Sequence, residues 1–250
     1  MNERPNILIT GGTRGIGRAC AEILAGAGCR VAVHGRCDQD AADSVAAALP
    51  GDGHVGVVAD LGDTAAPVHL ATDVLKRLGG LDALVNNAGV YEPHLPEDTD
   101  RAKFAAAWRR HIEINLNGPA CLTHACLESL ISHQGRVVNV TSRGAFRGEP
   151  ECPAYGAAKA GLNSLTQSLA IALAPRGVAC FAVAPGWVET DMTREHLAGP
   201  EGDDVRHQSP LGRVSTADEV ARAVKFCVLE APVAMTGSIL DVNGASYLRS

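Results

Sequence analysis

The sequence predicts a single α/β domain built on a doubly wound parallel sheet of about seven strands, with helices on both faces. Short apolar runs alternate with longer helical patterns, and the runs are apolar almost throughout, as strands buried on both faces require. The chain has 250 residues and is 46% hydrophobic, which is enough to enclose one large core. Because no internal repeat, low-complexity tract or linker divides it, residues 1–250 are interpreted as one domain.

The predicted elements follow one another in a regular βα rhythm. Strands are expected at residues 6–10, 30–35, 54–59, 82–86, 136–140, 178–183 and 238–242. Helical patterns cover residues 15–27, 38–49, 64–78, about 99–133, 154–174 and 216–229. Residues 189–212 are rich in proline, glycine and charge, and this stretch is predicted to be irregular.

The composition narrows the class of protein. A net charge of -6 gives no electrostatic footprint for nucleic acid or an anionic membrane. The chain begins without a basic region followed by an apolar run, and no run approaches the length of a membrane span, so a cytoplasmic protein is expected. The eight cysteines are scattered, without Cys-x-x-Cys or zinc-type spacing. We therefore predict neither disulfides nor a metal site.

A glycine-rich loop at residues 10–17, Thr-Gly-Gly-Thr-Arg-Gly-Ile-Gly, follows the first predicted strand and opens the first helix. Glycine lets the backbone approach a diphosphate closely, and the free N–H groups and dipole of a helix start attract negative charge. Because strand, loop and helix coincide, the loop predicts a dinucleotide site. The residues predicted to bind the cofactor here are Gly11, Thr13, Arg14, Gly15, Ile16 and Gly17.

The second predicted strand ends in His34-Gly35-Arg36, without the acidic residue that binds the ribose 2′-hydroxyl in NAD-selective sites. Guanidinium groups recognise phosphate through paired hydrogen bonds. With Arg14 and Arg36 available, the sequence predicts NADP(H) in preference to NAD(H). The alternative that both arginines are solvated surface residues stays open, because arginine is mostly exposed in proteins.

Tyr155 and Lys159 are the candidate proton-transfer residues. They lie four residues apart in a helical pattern, so their side chains share one helix face. A phenol has a pKa near 10, and a nearby ammonium favours its phenolate; Lys159 is therefore expected to lower the pKa of Tyr155. Together with Ser142 and the glycine-rich loop, this pair points to redox chemistry between a carbonyl and an alcohol.

With these residues in place, the chain resembles the classical short-chain dehydrogenase/reductase family from about residue 6 to residue 244. The shared motifs are T-G-x-x-x-G-x-G at residues 10–17, Asp60, Asn86-Asn87-Ala88-Gly89, Asn115, Ser142, Tyr155 with Lys159, and Pro185-Gly186. The resemblance implies a single Rossmann domain. Departures such as Thr141, where serine is frequent, remove no catalytic group.

The resemblance also implies a role for each matching residue. The implied cofactor contacts are Asp60 and Leu61 on the adenine, Asn87, Ala88 and Gly89 on the ribose side, and Pro185, Gly186, Val188 and Thr190 on the carboxamide. Lys159 would also bind the nicotinamide ribose. Asn115 would hold a water that links Lys159 to solvent, completing a tetrad with Ser142 and Tyr155. From the residues alone, Asp60 and Asn87 could equally form turns after strands.

The expected reaction is the reduction of a ketone. Ser142 would polarise the carbonyl, Tyr155 would donate the proton and NADPH would deliver hydride; the reverse reaction oxidises a secondary alcohol. A serine hydrolase is disfavoured because Ser142 lacks a glycine-flanked nucleophile elbow and has no suitably placed later histidine. A noncatalytic NADP(H)-sensing protein with the same fold stays open.

Substrate and assembly are implied only by the resemblance. The runs at residues 185–192 and 210–213 are most similar to the 3-oxoacyl-acyl-carrier-protein reductase group, so a 3-oxoacyl thioester is the leading substrate and a sugar or polyol the alternative. Residues 189–213 are expected to form a lid. Trp187 and the charged lid residues Arg194, His196, Arg206 and His207 could contact substrate or could be packed or solvated. A homotetramer assembled through residues 99–133 and 154–174 is implied.

Overall fold

The computed structural model describes residues 4–191 and 193–249. Its strands are β1 (Asn6–Ile9), β2 (Arg30–Gly35), β3 (Val55–Val58), β4 (Ala83–Asn86), β5 (Arg136–Val140), β6 (Ala179–Pro185), β7 (Val188–Glu189), β8 (Ser215–Thr216) and β9 (Ile239–Val242). Its α-helices are α1 (Gly15–Gly26), α2 (Gln39–Ala48), α3 (Ala66–Leu78), α4 (Arg101–Ile112), α5 (Gly118–Ala125), α6 (Leu127–Ser132), α7 (Gly144–Arg147), α8 (Pro153–Leu173), α9 (Arg194–Ala198), α10 (Gly202–His207) and α11 (Ala217–Lys225). Met192, part of the run at residues 185–192, lies outside the described residues.

Seven strands form one parallel sheet in the order β3-β2-β1-β4-β5-β6-β9. β1 pairs with β2 on one side and with β4 on the other, so the direction of sheet growth reverses at β1. A reversal of this kind opens a crevice at the carboxyl ends of the strands, where open α/β sheets bind their ligands. β7 and β8 form a separate two-stranded parallel sheet. The predicted doubly wound fold is confirmed.

The core lies on both faces of the sheet. In β1, Ile7 and Ile9 belong to one buried cluster, which includes residues of α1, α2 and α11. Leu8 points to the opposite face, into a second cluster with residues of α3, α5 and α8. Successive strand residues alternate between faces, so a strand covered on both sides must be apolar throughout. This explains the continuous apolar runs in the sequence.

The helical region predicted for residues 99–133 is interrupted. α4 ends at Ile112, a π-helical turn occupies Glu113–Asn117, and α5 and α6 follow as separate segments. Pro119 contributes to the break because it has no N–H to donate to the carbonyl of Asn115, four residues earlier. The predicted continuous helix rested on the hydrophobic pattern of the whole region, and such a pattern does not detect a break caused by one proline.

The expectation of an irregular stretch at residues 189–212 is wrong in part. This stretch contains α9 and α10, two short helices of five and six residues. Leu197 and Val205, one from each helix, are buried, so apolar anchors hold a segment whose composition is typical of a loop. Within residues 4–191 and 193–249, no helix combines the length and apolar character needed to cross a membrane.

A buried chain of polar side chains joins the sheet to the helices behind it. Asn86 on β4 and Asn139 on β5 face each other in register, and the Asn86 amide donates to Asn139 Oδ1 over 2.9 Å and to Thr123 Oγ1 on α5 over 3.2 Å. The Asn139 amide donates in turn to Thr166 Oγ1 on α8, over 2.8 Å. Buried polar groups are costly unless paired, so this chain fixes the position of α8 on the sheet.

We expect Asn139→Ala to destabilise the fold, because Thr166 and Asn86 each lose a buried hydrogen-bond partner. An unpaired buried polar group costs about 1–3 kcal/mol, and the lost side-chain volume adds to this. Urea unfolding of wild type and variant measures the difference. Gln167→Ala, on the exposed face of the same helix, is the matched control and should change stability by less than about 0.5 kcal/mol. Equal effects of the two substitutions would contradict the structural role of the chain.

Candidate active site

A cleft of about 850 Å³ runs along the carboxyl ends of the sheet strands. Among the residues that line it are all the predicted cofactor and catalytic residues except Gly17 and Asn115. The predicted residues in the lining are Gly11, Thr13, Arg14, Gly15, Ile16, Arg36, Asp60, Leu61, Asn87, Ala88, Gly89, Ser142, Tyr155, Lys159, Pro185, Gly186, Val188 and Thr190. Gly17 and Asn115 are buried.

The glycine-rich loop depends on glycine for its shape. Gly11 and Gly15 have φ values of +63° and +54°, in the left-handed region that side chains disfavour. At Gly17 a Cβ atom would lie 2.1 Å from the carbonyl oxygen of Gly11 and 2.5 Å from Nδ2 of Asn87. Asn87 Nδ2 donates to the carbonyls of Thr10 and Gly11, over 2.9 and 3.1 Å. The loop is therefore held in place from α1 and from the segment after β4.

The start of α1 fits a diphosphate. Arg14 occupies the N-cap position, and its side chain makes no capping hydrogen bond. The first N–H groups of a helix have no partner within the helix, and the positive end of the helix dipole adds to their attraction for an anion. Arg14 itself is exposed at the cleft and has no hydrogen bond or ion pair among the described residues. The residues present thus suit the phosphates of a dinucleotide.

His34 supports the loop from β2. Its Nδ1 accepts a hydrogen bond from the Gly11 N–H over 3.1 Å, and its Nε2 donates to the carbonyl of Ala59 over 2.9 Å. Burial lowers the pKa of His34 to about 4, so the ring is neutral at physiological pH, as an acceptor at Nδ1 requires. This supporting role could not be read from the sequence, because the contact with Gly11 spans 23 residues.

Arg36 and Asp60 form an exposed ion pair at the adenine end of the cleft. Arg36 Nε lies 2.8 Å from Asp60 Oδ2. The other carboxylate oxygen of Asp60 accepts the N–H of Gly62 over 2.9 Å, and these contacts lower the pKa of Asp60 despite an opposing effect of burial. Asp60 therefore forms the turn after β3 and also lines the cleft; its contact with an adenine stays a prediction.

Ser142, Tyr155 and Lys159 meet at the opposite end of the cleft. Tyr155 and Lys159 are one turn apart on α8, and the Lys159 ammonium lies 5.7 Å from the centre of the Tyr155 ring. Lys159 Nζ donates to the carbonyl of Val140, at the end of β5, over 2.7 Å. Ser142, which follows β5, accepts the Gly144 N–H over 3.0 Å and hydrogen-bonds the phenol of Tyr155. The predicted juxtaposition is therefore present.

The expected effect of Lys159 on Tyr155 is not observed. Burial raises the pKa of Tyr155 to about 12, and the hydrogen bond with Ser142 opposes that rise only in part. Burial also lowers the pKa of Lys159 to about 8. The ammonium is directed to a carbonyl instead of the phenol oxygen, and desolvation disfavours the charged form of both groups. In the chain by itself, Tyr155 is thus a neutral phenol.

Asn115 lies in the π-helical turn and is fully buried. Its side chain forms two hydrogen bonds with the backbone of Val90, accepting the N–H over 2.9 Å and donating to the carbonyl over 3.0 Å. A Cβ atom on Gly89 would lie 2.7 Å from Asn115 Oδ1 and 3.6 Å from Lys159 Nζ, so the glycine separates these two side chains. The Asn115 amide therefore fastens the segment after β4. Its role in holding a water stays a prediction.

Several residues that the sequence analysis did not select lie beside the catalytic group. The Tyr91 ring packs edge-on against Tyr155, with ring centres 5.2 Å apart. Glu149, Tyr91 and Glu151 line the cleft. Burial, followed by the charge of Glu149, raises the pKa of Tyr91. Tyr91 directly follows the Asn-Asn-Ala-Gly-Val run after β4, so its position in the sequence could have indicated that it lies at the carboxyl edge of the sheet. No pattern in the sequence indicates that Glu149 lies there.

The two arginines selected in the stretch 189–213 lie outside the lining of the cleft and are paired with acidic residues. Arg194 pairs with Asp191, and Arg206 pairs with Asp203 and donates to the carbonyl of Leu197. His207 is likewise outside the lining. In the described part of the chain, His196 alone among the four selected lid residues lines the cleft. His196 stacks on Trp187 with ring centres 4.8 Å apart.

Three side chains that are chemically able to bind a metal meet behind the site. The donor atoms of His94, His111 and Cys152 lie within 4.8 Å of one another, and all three residues are buried. Their spacing in the sequence gave no sign of this cluster. Each donor already has a partner. His111 Nε2 accepts the N–H of Glu92, and His94 Nδ1 contacts the carbonyl of Glu92. Cys152 Sγ contacts the carbonyl of Glu92 and His111 Nε2. We therefore interpret the cluster as a fastening between the segment after β4 and the start of α8.

Comparisons with known proteins test the family resemblance. The family model described as enoyl-(acyl carrier protein) reductase matches residues 11–245. A 3-oxoacyl-[acyl-carrier-protein] reductase of Aquifex aeolicus is 36% identical over 244 residues, covering 96% of this chain and 96% of the relative. A cis-4-hydroxycyclohexanecarboxylate dehydrogenase of Sinomonas cyclohexanicum is 37% identical over 244 residues, covering 95% and 94%. A solved short-chain dehydrogenase/reductase, glucose/ribitol dehydrogenase, from Brucella melitensis has a TM-score of 0.89 and 31% identity, covering 98% and 97%. The resemblance drawn from the motifs is confirmed.

Gly17→Ala should abolish tight dinucleotide binding, because the new methyl group would overlap the rigid backbone oxygen of Gly11 and displace the loop. We expect the Kd for NADPH, measured by fluorescence titration, to rise by at least about tenfold, which corresponds to about 1.4 kcal/mol. Gly26→Ala is the matched control at the end of the same helix, where a Cβ meets only Pro50 at 4.0 Å. Binding by Gly17→Ala at wild-type affinity would show that the loop does not hold the cofactor.

Proposed function

We propose that this chain, which belongs to the short-chain dehydrogenase/reductase family, is an NADP(H)-dependent oxidoreductase that interconverts a ketone and a secondary alcohol. The observation that carries the proposal is the meeting of Ser142, Tyr155 and Lys159 on the wall of a cleft whose other end suits a dinucleotide. Ser142, which follows β5, and Tyr155 and Lys159, which lie on α8, line the same part of the cleft. The noncatalytic alternative requires no such convergence.

Ser142, Tyr155 and Lys159 have different roles in the transfer of a proton to the substrate oxygen. A bound nicotinamide would supply the hydride at the carbonyl carbon. Ser142 Oγ accepts the Gly144 N–H and interacts with the Tyr155 phenol, so its own proton can be donated to a substrate oxygen in place of the phenol. Tyr155 is a neutral phenol in this environment and holds the proton that the reduction needs. Two donors on a developing alkoxide provide the electrostatic stabilisation on which such reactions depend.

Lys159 acts after the proton has left. Its pKa of about 8 leaves the side chain mostly charged near pH 7. In the chain by itself this charge does not hold down the pKa of Tyr155; we propose that it does so once substrate and cofactor fill the cleft, because an ammonium favours a nearby phenolate. We also propose that Asn115 holds a water that links Lys159 to solvent, because a Cβ atom on Gly89 would approach the side chains of both residues. In the oxidation of an alcohol the same groups work in reverse, with Tyr155 as the base.

Two substrate classes have support. The 3-oxoacyl-[acyl-carrier-protein] reductases among the relatives favour a 3-oxoacyl thioester as the leading substrate. The cis-4-hydroxycyclohexanecarboxylate dehydrogenase and the glucose/ribitol dehydrogenase favour a hydroxylated substrate such as a sugar or polyol. We further propose that residues 189–213 form the lid, because Thr190 and His196 border the cleft and Gln208 binds Arg143, the neighbour of Ser142.

We also propose NADP(H) as the preferred cofactor and a homotetramer as the assembly. The Arg14 side chain is exposed at the cleft and has no ion pair among residues 4–191 and 193–249, and the Arg36 guanidinium can exchange its exposed Asp60 partner for a 2′-phosphate. The outer face of α8 is exposed and carries mostly small side chains, which permit close approach of a second helix: Ala157, Ala160, Ser164, Ser168 and Ile171.

Tyr155→Phe should lower kcat by about 10²–10⁴-fold, the usual contribution of a positioned acid, while the Kd for NADPH stays the same. The measurement is NADPH oxidation over a panel of ketones that includes acetoacetyl thioesters, with NADP⁺ reduction by polyols as the reverse assay. Tyr247→Phe, outside the cleft, is the control. Full activity of Tyr155→Phe contradicts the mechanism. Cofactor binding without turnover of any ketone supports the sensor alternative, and polyol oxidation without thioester turnover reverses the ranking of substrates.

Arg36→Ala should raise the Kd for NADPH by about 10–100-fold, since a hydrogen bond to a charged group contributes about 1.5–3 kcal/mol. NADH affinity should change little, because NADH carries no 2′-phosphate. Titrations of both cofactors against wild type and variant make the comparison, with Arg18→Ala as control on the exposed side of α1. Equal affinity of the wild type for NADH and NADPH would refute the preference.

Ile171→Glu should reduce the solution mass of the assembly without unfolding the chain, because the side chain of Ile171 is 81% exposed and supports no core contact. Placing a charge in an apolar helix contact leaves it desolvated and unpaired. Light scattering coupled to size exclusion measures the mass, and circular dichroism confirms the fold. A monomeric mass for the wild-type protein would contradict the proposed tetramer.

A further inference from the structure

Glu149 is a half-buried carboxylate in the substrate part of the cleft that no step of the proposed reaction uses. Among the described residues its side chain has no hydrogen bond and no ion pair. Burial is the largest influence on this group and raises its pKa, while Arg147 and Arg143 act in the opposite direction. A half-buried carboxylate without a protein donor is less well solvated than a free one, so a hydrogen-bond donor on a ligand would stabilise it.

The position of this carboxylate is set by a glycine next to the catalytic serine. A Cβ atom on Gly144 would lie 2.3 Å from Glu149 Oε1 and 2.8 Å from Cδ, so the carboxylate lies directly against the Gly144 backbone. The N–H of that same glycine donates to Ser142 Oγ over 3.0 Å. The negative charge also reaches both neighbouring phenols, since Glu149 raises the pKa of Tyr155 and of Tyr91.

Resting on the proposed function, we infer that Glu149 is a specificity-determining residue that accepts a hydrogen bond from a substrate hydroxyl close to the reacting carbon. The substrate class is then a hydroxy ketone and the corresponding diol. A plain ketone, or a thioester carrying only acceptor oxygens beside the carbonyl, offers this carboxylate no donor. The assignment therefore favours the hydroxylated class over the thioester.

A neutral hydroxyl suits the site better than an ammonium. Arg143 is buried and donates to Ser246 Oγ over 2.6 Å and to Gln208 Oε1, both of them neutral acceptors. Arg147 and Arg143 both act on Glu149 electrostatically and favour its charged form. An added cation would face Arg143 and Arg147, whereas a hydroxyl donates to the carboxylate without changing the charge of the cleft.

The experiment compares two substrates that differ by one hydroxyl, 2-hydroxycyclohexanone and cyclohexanone, in kcat/KM for NADPH oxidation. Glu149→Leu should lower the preference for the hydroxylated ketone by about 10–100-fold, the range for a hydrogen bond to a charged group. Glu149→Gln keeps an acceptor and should lose less. Glu151→Gln removes a charge at the exposed rim of the same cleft and should leave the ratio within about threefold.

Gly144→Ala is a second test that keeps the carboxylate. Its methyl group would displace the flexible end of Glu149 without disturbing the backbone, so the same loss of preference is expected in a chain that folds. Binding of the two ketones to the NADP⁺ complex, measured by calorimetry, separates this inference from the proposed reaction. Tighter binding of the hydroxylated ketone that depends on Glu149 supports the inference even without turnover. Equal binding of both ketones to the wild type, or an unchanged ratio in Glu149→Leu, overturns it.

Discussion

The pairing of β1 with both β2 and β4 is the constraint on which the site depends. Every strand of the sheet is parallel, so the segments that follow the strands all emerge at one edge. The reversal at β1 separates the connections on its two sides and leaves a cleft between them. Residues as far apart as Gly11, Asp60, Ser142 and Pro185 reach that cleft because each lies at the end of a strand or just after it. The helices that begin at the same edge add Tyr155 and an uncapped helix start.

Burial of the catalytic pair gives the site its chemical character. Lys159 is 3% exposed and bound to the Val140 carbonyl, so a charge is kept in a place where water does not stabilise it. The same desolvation holds Tyr155 protonated, which suits a proton donor. The side chains of Asn86 and Asn139 are buried and uncharged, and they position α8 on the sheet. The helix can therefore tolerate the free-energy cost of the buried Lys159 ammonium in its N-terminal part. Different turns of α8 thus carry Thr166, which helps to fix the helix on the sheet, and Lys159, which lines the cleft.

The fold and most of the site could be predicted from the sequence, because both rest on local patterns. Apolar runs separated by helical periods define a parallel sheet, and a glycine-rich loop after a strand defines a phosphate site. What failed were properties that depend on three-dimensional neighbours. The pKa of Tyr155 is set by how deeply the ring is buried, and the break before Pro119 by one missing donor. The roles of His34 and Glu149 follow from contacts that no spacing in the chain reveals.

Glu149 links recognition of the substrate to transfer of the proton. An unpartnered negative charge beside Tyr155 raises the pKa of the phenol and so opposes the phenolate that the reduction must leave behind. A hydroxyl that donates to this carboxylate spreads its charge and weakens the repulsion. The phenolate then forms at lower cost when the correct substrate is present than when a plain ketone is. The substrate hydroxyl does not react, but its binding energy in this way lowers the free energy of the transition state, as efficient catalysis requires.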